Sequence, residues 1–320
     1  MTESAISLSP ENVFFRKKRG FVFNFVIRLF KEKPLGGIGG IIFLILLFTG
    51  VFANFLAPCE YNEAKPLEAL KPPSAKHLLG TDNLGRDVLS RVIYGARLSV
   101  IVGASATTFS ILISTIIGVS TGFIGGRFDL YVQRIVDAWM CFPGLIILIV
   151  AVSFIGPGMW QIILVLGLQY GIAGSRIVRG ATVTTRENMY IEAARASGAS
   201  TVRTMLRHIL PNIMAPIIVL FTTRLAAVII AEASLSFLGL GIPPPAPSWG
   251  GMLSGAGRSY MLLAPWMLIV PAIALSFVVY GINVFGDALR DLLDPRLRGG
   301  GGRYTLETRR GLLFWKKKEA

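Results

Sequence analysis

Charge is what this sequence has least of. Only 16% of its 320 residues are Asp, Glu, Lys or Arg, where a soluble chain carries roughly a quarter. The shortage is concentrated. Residues 34–59, 98–126, 138–175 and 259–286 contain no Asp, Glu, Lys, Arg or His. A helical crossing of the hydrocarbon core needs about 20 apolar residues. Each window is long enough for one crossing, and 138–175 is long enough for a pair. These lengths exclude a soluble globular domain and leave a polytopic, all-α membrane protein.

Other absences narrow the chemistry. Two Cys (Cys59, Cys141) and two His (His77, His208) give neither a disulfide framework nor a metal-ligand spacing. The dipeptide Gly-Lys never occurs, so no Walker-type phosphate cradle is present. H-E-x-x-H is missing too, as are paired catalytic carboxylates. Without a placed nucleophile, metal or nucleotide loop, no catalytic residue, metal or cofactor is assigned. The chain reads as a passage or a scaffold rather than an enzyme.

What is there fits six transmembrane helices. They fall at about 35–56, 98–124, two within 138–175, then 213–238 and 262–285. The "IGPGM" of 155–159 divides the long window, because Gly-Pro-Gly is a strong turn signal. Lys and Arg set the orientation. With the N-terminus inside, cytoplasmic segments carry 24 of them and outer segments 7, which places both termini in the cytoplasm. The net charge of +14 is then a topology signal. It does not mark a nucleic-acid surface, since the basic residues flank spans instead of forming one face.

Four regions follow. Residues 1–33 form a basic N-terminal segment, in which the aromatic 21–30 stretch is either a helix in the headgroup plane or an extension of the first span. Residues 34–97 hold the first span and an external loop. Its end carries Leu84, Val88, Leu89, Val92 and Ile93 at helical spacing. This predicts an amphipathic helix on the membrane face, capped by Thr81 or Asp82, with Asp87 and Arg91 paired at i,i+4. Residues 98–286 form a five-helix core with a polar cytoplasmic loop at 186–211. Residues 287–320 form a basic tail. The pairs Gly36/Gly40, Gly118/Gly122 and Gly167/Gly171 permit close helix approach in lipid.

The fifth span contains Arg224 and Glu232. Ionisable groups inside a span are costly and are functional candidates by default. Eight residues apart, they lie about 80° apart around a helix, so both can face one polar passage or its gate. The Pro-rich "GIPPPAPSWGGM" of 241–252 predicts a stiff external loop that either supports the fold or meets a partner at Ser248.

Between spans four and five stands "YIEAARASGASTVRTMLRHILPN", 190–212. Ala193, Ala194 and Ala196 favour a helix. Gly198 suits its C-terminal turn, Ser200 can cap a second short helix, and Pro211 ends it. This predicts a small-residue surface rimmed by Glu192 and arginines, protruding where something else can hold it.

Here the chain resembles a family. Glu192-Ala193-Ala194, then Gly198 after three residues, then Leu210-Pro211, is similar to the signature loop of importer-type ABC transporter permeases. His208 stands where that pattern often has Ile, and "RHILPN" is similar to the peptide-permease branch. Three further stretches resemble the second permease subunit of dipeptide, oligopeptide and nickel importers: "LLGTDNLGRDVLSRVIYGAR" (78–97), "EASLSFLGLGIPPPAPSWGGML" (232–253) and "GDALRDLLDPRLR" (286–298). Together they cover about 35–298.

The resemblance implies a type I importer permease fold in a bacterial or archaeal cytoplasmic membrane. It implies a homologous second permease, two ATP-binding subunits that hold ATP and Mg, an extracytoplasmic substrate-binding protein and a peptide substrate. Nickel, glutathione-like or oligosaccharide cargo fits the same transporter class, and an ATP-independent transporter or channel is the competing class. Glu192, Ala193, Ala194 and Arg195 would form the ATPase-docking surface. Gly198 would allow the bend, and His208, Leu210 and Pro211 would fix the return to span five. Arg224 and Glu232 would line the pathway or gate.

Overall fold

A computed structural model describes residues 21–293, with side chains from residue 25 onward. The basic stretch 16–20 and most of the predicted C-terminal tail lie outside the described residues. The described chain is helical throughout, in the order α1 (Phe21–Glu32), α2 (Pro34–Val51), α3 (Ala53–Leu56), α4 (Val88–Ile124), α5 (Gly126–Met140), α6 (Gly144–Ile155), α7 (Met159–Arg186), α8 (Met189–Ala196), α9 (Thr201–Thr204), α10 (Leu210–Asn212), α11 (Met214–Phe237), α12 (Trp249–Leu253), α13 (Gly255–Ser259) and α14 (Trp266–Leu293). A 3₁₀ turn occupies Pro66–Glu68, and a π turn at Met205–Ile209 joins α9 to α10.

Five helices, α2, α4, α7, α11 and α14, are long and apolar enough to cross a membrane. The remaining crossing departs from expectation. α5 and α6 meet at 87°, and α6 alone has 12 residues, about 18 Å of helix. Pro143 explains the break, since it disfavours helical backbone at the residue before it. The 127–137 segment, expected as a short connection, is therefore a helix of its own. Asp129 on α5 pairs with Arg179 on α7, with Nε to Oδ1 at 2.6 Å, and Asp137 pairs with Arg176.

A second departure concerns 84–97. Residues 84–87 precede the helix, and 88–97 form no separate helix on a membrane face but the first turns of α4, whose 37 residues extend about 55 Å. The regional boundary at 97/98 therefore falls inside a continuous helix, and the one at 286/287 falls inside α14. Nor do Thr81 and Asp82 cap it. Asp87 does, accepting from the Ser90 N–H at 2.8 Å.

Three buried clusters join the long helices. One unites Val102 and Ala106 of α4, Leu148 and Val152 of α6, Leu166 of α7 and Val228 of α11. A second joins Leu46, Ala96, Ala226, Trp249 and Ile282. α4 and α7 approach closely. A Cβ on Gly118 would lie 2.6 Å from Val178 Cβ, and one on Gly122 would lie 2.8 Å from Thr182 Cβ. Only a missing side chain permits this contact, so the Gly118/Gly122 spacing marks a helix seam.

Candidate functional site

The loop between α7 and α11 is built on the third cluster. Ile191 of α8, Ile209 of the π turn, and Ile213 and Ile217 at the start of α11 are buried with Val119 and Phe123 of α4 and Val178 of α7. Ile191, Ile209 and Ile213 are each 0% exposed. Burying side chains of this size is worth about 1.5–3 kcal/mol each, which fixes α8 to the ends of three long helices. Sequence reading overlooked these anchors, although Ile209, Ile213 and Ile217 recur at i+4 through the loop's exit.

Above this floor the predicted docking residues separate into two groups. Glu192 and Ala193 are exposed, and Ala194 is half-buried. Met189 is 85% exposed, with Tyr190, Val202 and Leu206 also exposed around them. Together these side chains form a cluster of exposed apolar surface. Arg195 belongs to the other group. Its guanidinium lies 4.5 Å from the Phe123 ring centroid at the end of α4, while Arg186 donates to the Phe123 carbonyl at 3.2 Å. Arg195 is itself exposed, so it stands on the rim while its guanidinium also braces the loop against the bundle.

The turn behaves as a Gly turn should. Gly198 has φ +82°, a left-handed conformation that costs an L-residue roughly 1–2 kcal/mol. The Ala199 N–H reaches the Ala194 carbonyl at 3.1 Å, closing the helix end. Nothing lies within 4 Å of where a Gly198 Cβ would stand. The sensitivity of this position is therefore backbone strain and not a steric clash in the turn. Ser200 caps α9, accepting from the Arg203 N–H at 3.3 Å.

Pro211 does not stop the chain. A proline ring collides with the carbonyl four residues back and offers no N–H to it. The backbone widens instead into the π turn, where the Leu210 N–H reaches Met205 O. The helix then passes through α10 into α11. His208 is half-buried in that turn, its carbonyl accepting from Asn212 at 2.7 Å. Leu210 packs against the third cluster, and Pro211 is exposed.

The structure does not bring Arg224 and Glu232 together. Glu232 is 1% exposed, and its Oε1 accepts from Ser236 Oγ at 2.7 Å. Gly241 is folded down over Ser236, where a Cβ would lie 1.9 Å from that hydroxyl. Glu232 therefore sits inside the chain, not on a passage wall. Arg224 is half-buried, its guanidinium 5.4 Å from the Tyr170 ring centroid on α7.

The Pro-rich segment is likewise structural at Ser248 and Trp249. Ser248 is buried and caps α12 through the Gly251 N–H, and Trp249 Nε1 donates to Val92 O at 3.0 Å. Pro243, Pro244 and Pro245 are its exposed part. The Asp87/Arg91 pair expected in the preceding loop is replaced by longer-range partners. Asp87 meets His77 at 2.9 Å, and Arg91 meets Asp82 at 3.6 Å.

Residues 114–299 match the family described as binding-protein-dependent transport system inner membrane component. The chain belongs to this family. Residues 24–73 also match the N-terminal transmembrane domain of oligopeptide transport permease C. The dipeptide transport system permease protein of Alkalihalophilus pseudofirmus is 38% identical over 268 residues, 84% of this chain and 88% of the relative. The glutathione transport system permease protein of Escherichia coli O6:K15:H31 is 38% identical over 273 residues, 85% and 90% respectively. One chain of the MetNI methionine ABC transporter, solved in inward-facing conformations, shares the fold with TM-score 0.53. It covers 64% of this permease and 96% of itself at 19% identity. The chain is thus a multi-pass inner-membrane permease with the fold of an ABC importer subunit.

Proposed function

We propose that this permease forms half of the translocation pathway for short peptides. Its α8–α9 loop would couple that pathway to a separate ATPase. The observation that carries the coupling is the two-sided build of the loop: Glu192, Ala193 and Met189 are presented outward, while Ile191 is locked into α4, α7 and α11. A push on such a surface moves three helices together, because packed interiors transmit displacement. Peptide cargo is supported by the names of relatives that align over four-fifths of the chain.

The reading requires a homologous permease, two ATP-binding subunits and an extracytoplasmic binding protein. ATP and Mg²⁺ would be held by the ATP-binding subunits, and this chain would contribute no catalytic residue. Both termini and the α7–α11 loop would face the cytoplasm, in agreement with the Lys and Arg bias. The experiment is copurification with the ATP-binding subunits, followed by peptide-stimulated ATP hydrolysis and uptake in proteoliposomes. Uptake by this chain alone, without the ATPase, would overturn coupling. Stimulation by glutathione or nickel but by no di- to pentapeptide would overturn the cargo.

A further inference from the structure

The 82–91 stretch holds more positive than negative charge in an enclosed place. Asp82, 5% exposed, is shared by two arginines. Its Oδ1 accepts from the Leu84 and Arg86 N–H groups. Its Oδ2 takes Arg86 Nε at 2.7 Å and stands 3.6 Å from Arg91 Nε. The longer distance is an ion pair without a hydrogen bond. The neighbouring acids are engaged elsewhere: Asp87 by His77 and Ser90, Glu68 by His77 and Lys76. Two guanidinium groups therefore face one carboxylate, although Arg91 is buried and the Arg86 side chain is 13% exposed. A second cation in so enclosed a site is costly unless another anion joins it.

Both arginines open on one cavity. It measures 70 Å³ and lies between this stretch, α12–α13 and Met267 of α14. Asp82, Arg86 and Arg91 are its only charged lining residues, and Gly251 and Gly257 keep the facing wall free of side chains. Arg91 Nη1 donates to the Tyr61 carbonyl at 3.2 Å. The terminal nitrogens of Arg86 meet no acceptor among the described residues. Small-molecule sites begin at about 300 Å³, so the cavity is too small for a whole solute. It has room for several waters or for one carboxyl group.

We infer that Arg86 and Arg91 form a socket for one acidic side chain of the extracytoplasmic binding protein. This rests on the importer reading above, which puts this face outside and requires that protein, and it names where the partner is gripped. Charge selects an anion, and volume selects a side chain over a free peptide. The frame is set before the partner arrives. The Leu70 N–H reaches the Asp82 carbonyl, and Trp266 Nε1 of α14 reaches the Thr81 carbonyl, each at 3.0 Å. Asp82 fixes the Arg86 fork in the orientation a second carboxylate needs.

The test uses the assembled transporter in nanodiscs and its purified binding protein, with affinity and rates read by biolayer interferometry. Arg86→Gln leaves one cation against Asp82, so the fold should be kept. It is expected to weaken binding about tenfold, the scale of one charge-assisted hydrogen bond, mainly through faster dissociation. Arg86→Lys should keep part of the affinity. The second arm leaves the permease unaltered and neutralises the exposed Asp and Glu residues of the binding protein one at a time. One of these variants should reproduce the loss, and combining it with Arg86→Gln should add little further. Unchanged affinity in Arg86→Gln overturns the inference, as does full additivity with every acidic variant. An anionic phospholipid that copurifies with the unaltered transporter and is lost in Arg86→Gln, at unchanged affinity for the binding protein, gives the socket to a headgroup and also overturns it. No affinity of the binding protein for the unaltered transporter sinks the importer reading itself, whereas affinity indifferent to Arg86 sinks only the socket.

Discussion

Two polar segments interrupt the apolar helices, and they are built in opposite ways. The 58–87 loop turns a set of polar groups inward, with His77, Asp82 and Asp87 all buried. His77, only 3% exposed, bridges Asp87 and Glu68 at 2.9 and 3.1 Å. Asp82 accepts from the Leu84 and Arg86 N–H groups, and its carboxylate also meets the Arg86 side chain. The 189–212 loop does the reverse. Its charged and small residues face outward, and its isoleucines are buried. Closed polar networks such as the first rigidify a structure. Exposed features on a buried anchor, as in the second, leave a surface free for the docking proposed above. Residue composition alone distinguishes these segments poorly, since both are polar breaks of similar length.

The largest expected break falls on the inward-facing loop. Asp87→Ala removes the α4 cap and leaves a ring nitrogen of buried His77 without its partner. Losing one member of a buried pair costs about 3–5 kcal/mol. Thermal unfolding of the purified permease should shift strongly downward, and an unshifted transition would show the network to be dispensable.

Next comes the anchor of the other loop. Ile191→Ala should cost about 2–5 kcal/mol by leaving a cavity in the third cluster. ATP hydrolysis by the assembled transporter should then become partly independent of uptake. Glu192→Ala supplies the contrast: unchanged thermal stability with impaired ATPase docking, read by copurification. If Glu192→Ala destabilised the permease as much as Asp87→Ala, the two loops would not differ as described.

Gly198→Val should have a smaller effect, about 1–2 kcal/mol of backbone strain, with no steric collision. Gly198→Asn should therefore recover much of the lost transport, because Asn tolerates the left-handed region. Equal failure of both variants at normal membrane level would point to a contact on the partner ATPase instead.

The smallest effect is one of pH. Hydrogen bonds from Lys76 and then His77 hold the Glu68 carboxyl down from its ordinary 4.5 to about 2. A depressed folded-state value stabilises the fold above about 4.5, and that contribution fades as pH falls towards about 2. Hydrogen exchange of the 66–87 amides should accelerate across this window, and Glu68→Gln should flatten that dependence. An identical acid response in the variant would assign it to other carboxylates.

Much of this was legible along the chain. The α2, α7 and α11 crossings, the Gly-Pro-Gly turn and the capped Ser200 helix stand where local pattern puts them. They depend on hydrophobic run length and on residues a few positions apart. Several misreadings involve partners beyond the next helical turn. Asp87 turned to His77 rather than to the adjacent helical position, while Arg91, also buried, turned to Asp82. Glu232 was expected on a passage wall, but Gly241 folds down over its Ser236 partner. Arg195 is exposed as a rim charge, and the Phe123 ring beneath it could not be read from the sequence.

The sequence by itself determined that this chain lies in a membrane as a bundle of helices, and that its 190–212 loop carries an importer-permease signature. Run length, the Lys and Arg bias and a fixed spacing of Ala, Gly and Pro are local quantities, and each follows from bilayer thickness or backbone geometry. Only the tertiary structure decided which side chains of that loop are anchors and which are surface. It alone showed that Glu232 is enclosed while Arg224 packs over the Tyr170 ring. Burial and pairing depend on helices separated by a hundred residues in the chain, and no local spacing records which of them meet.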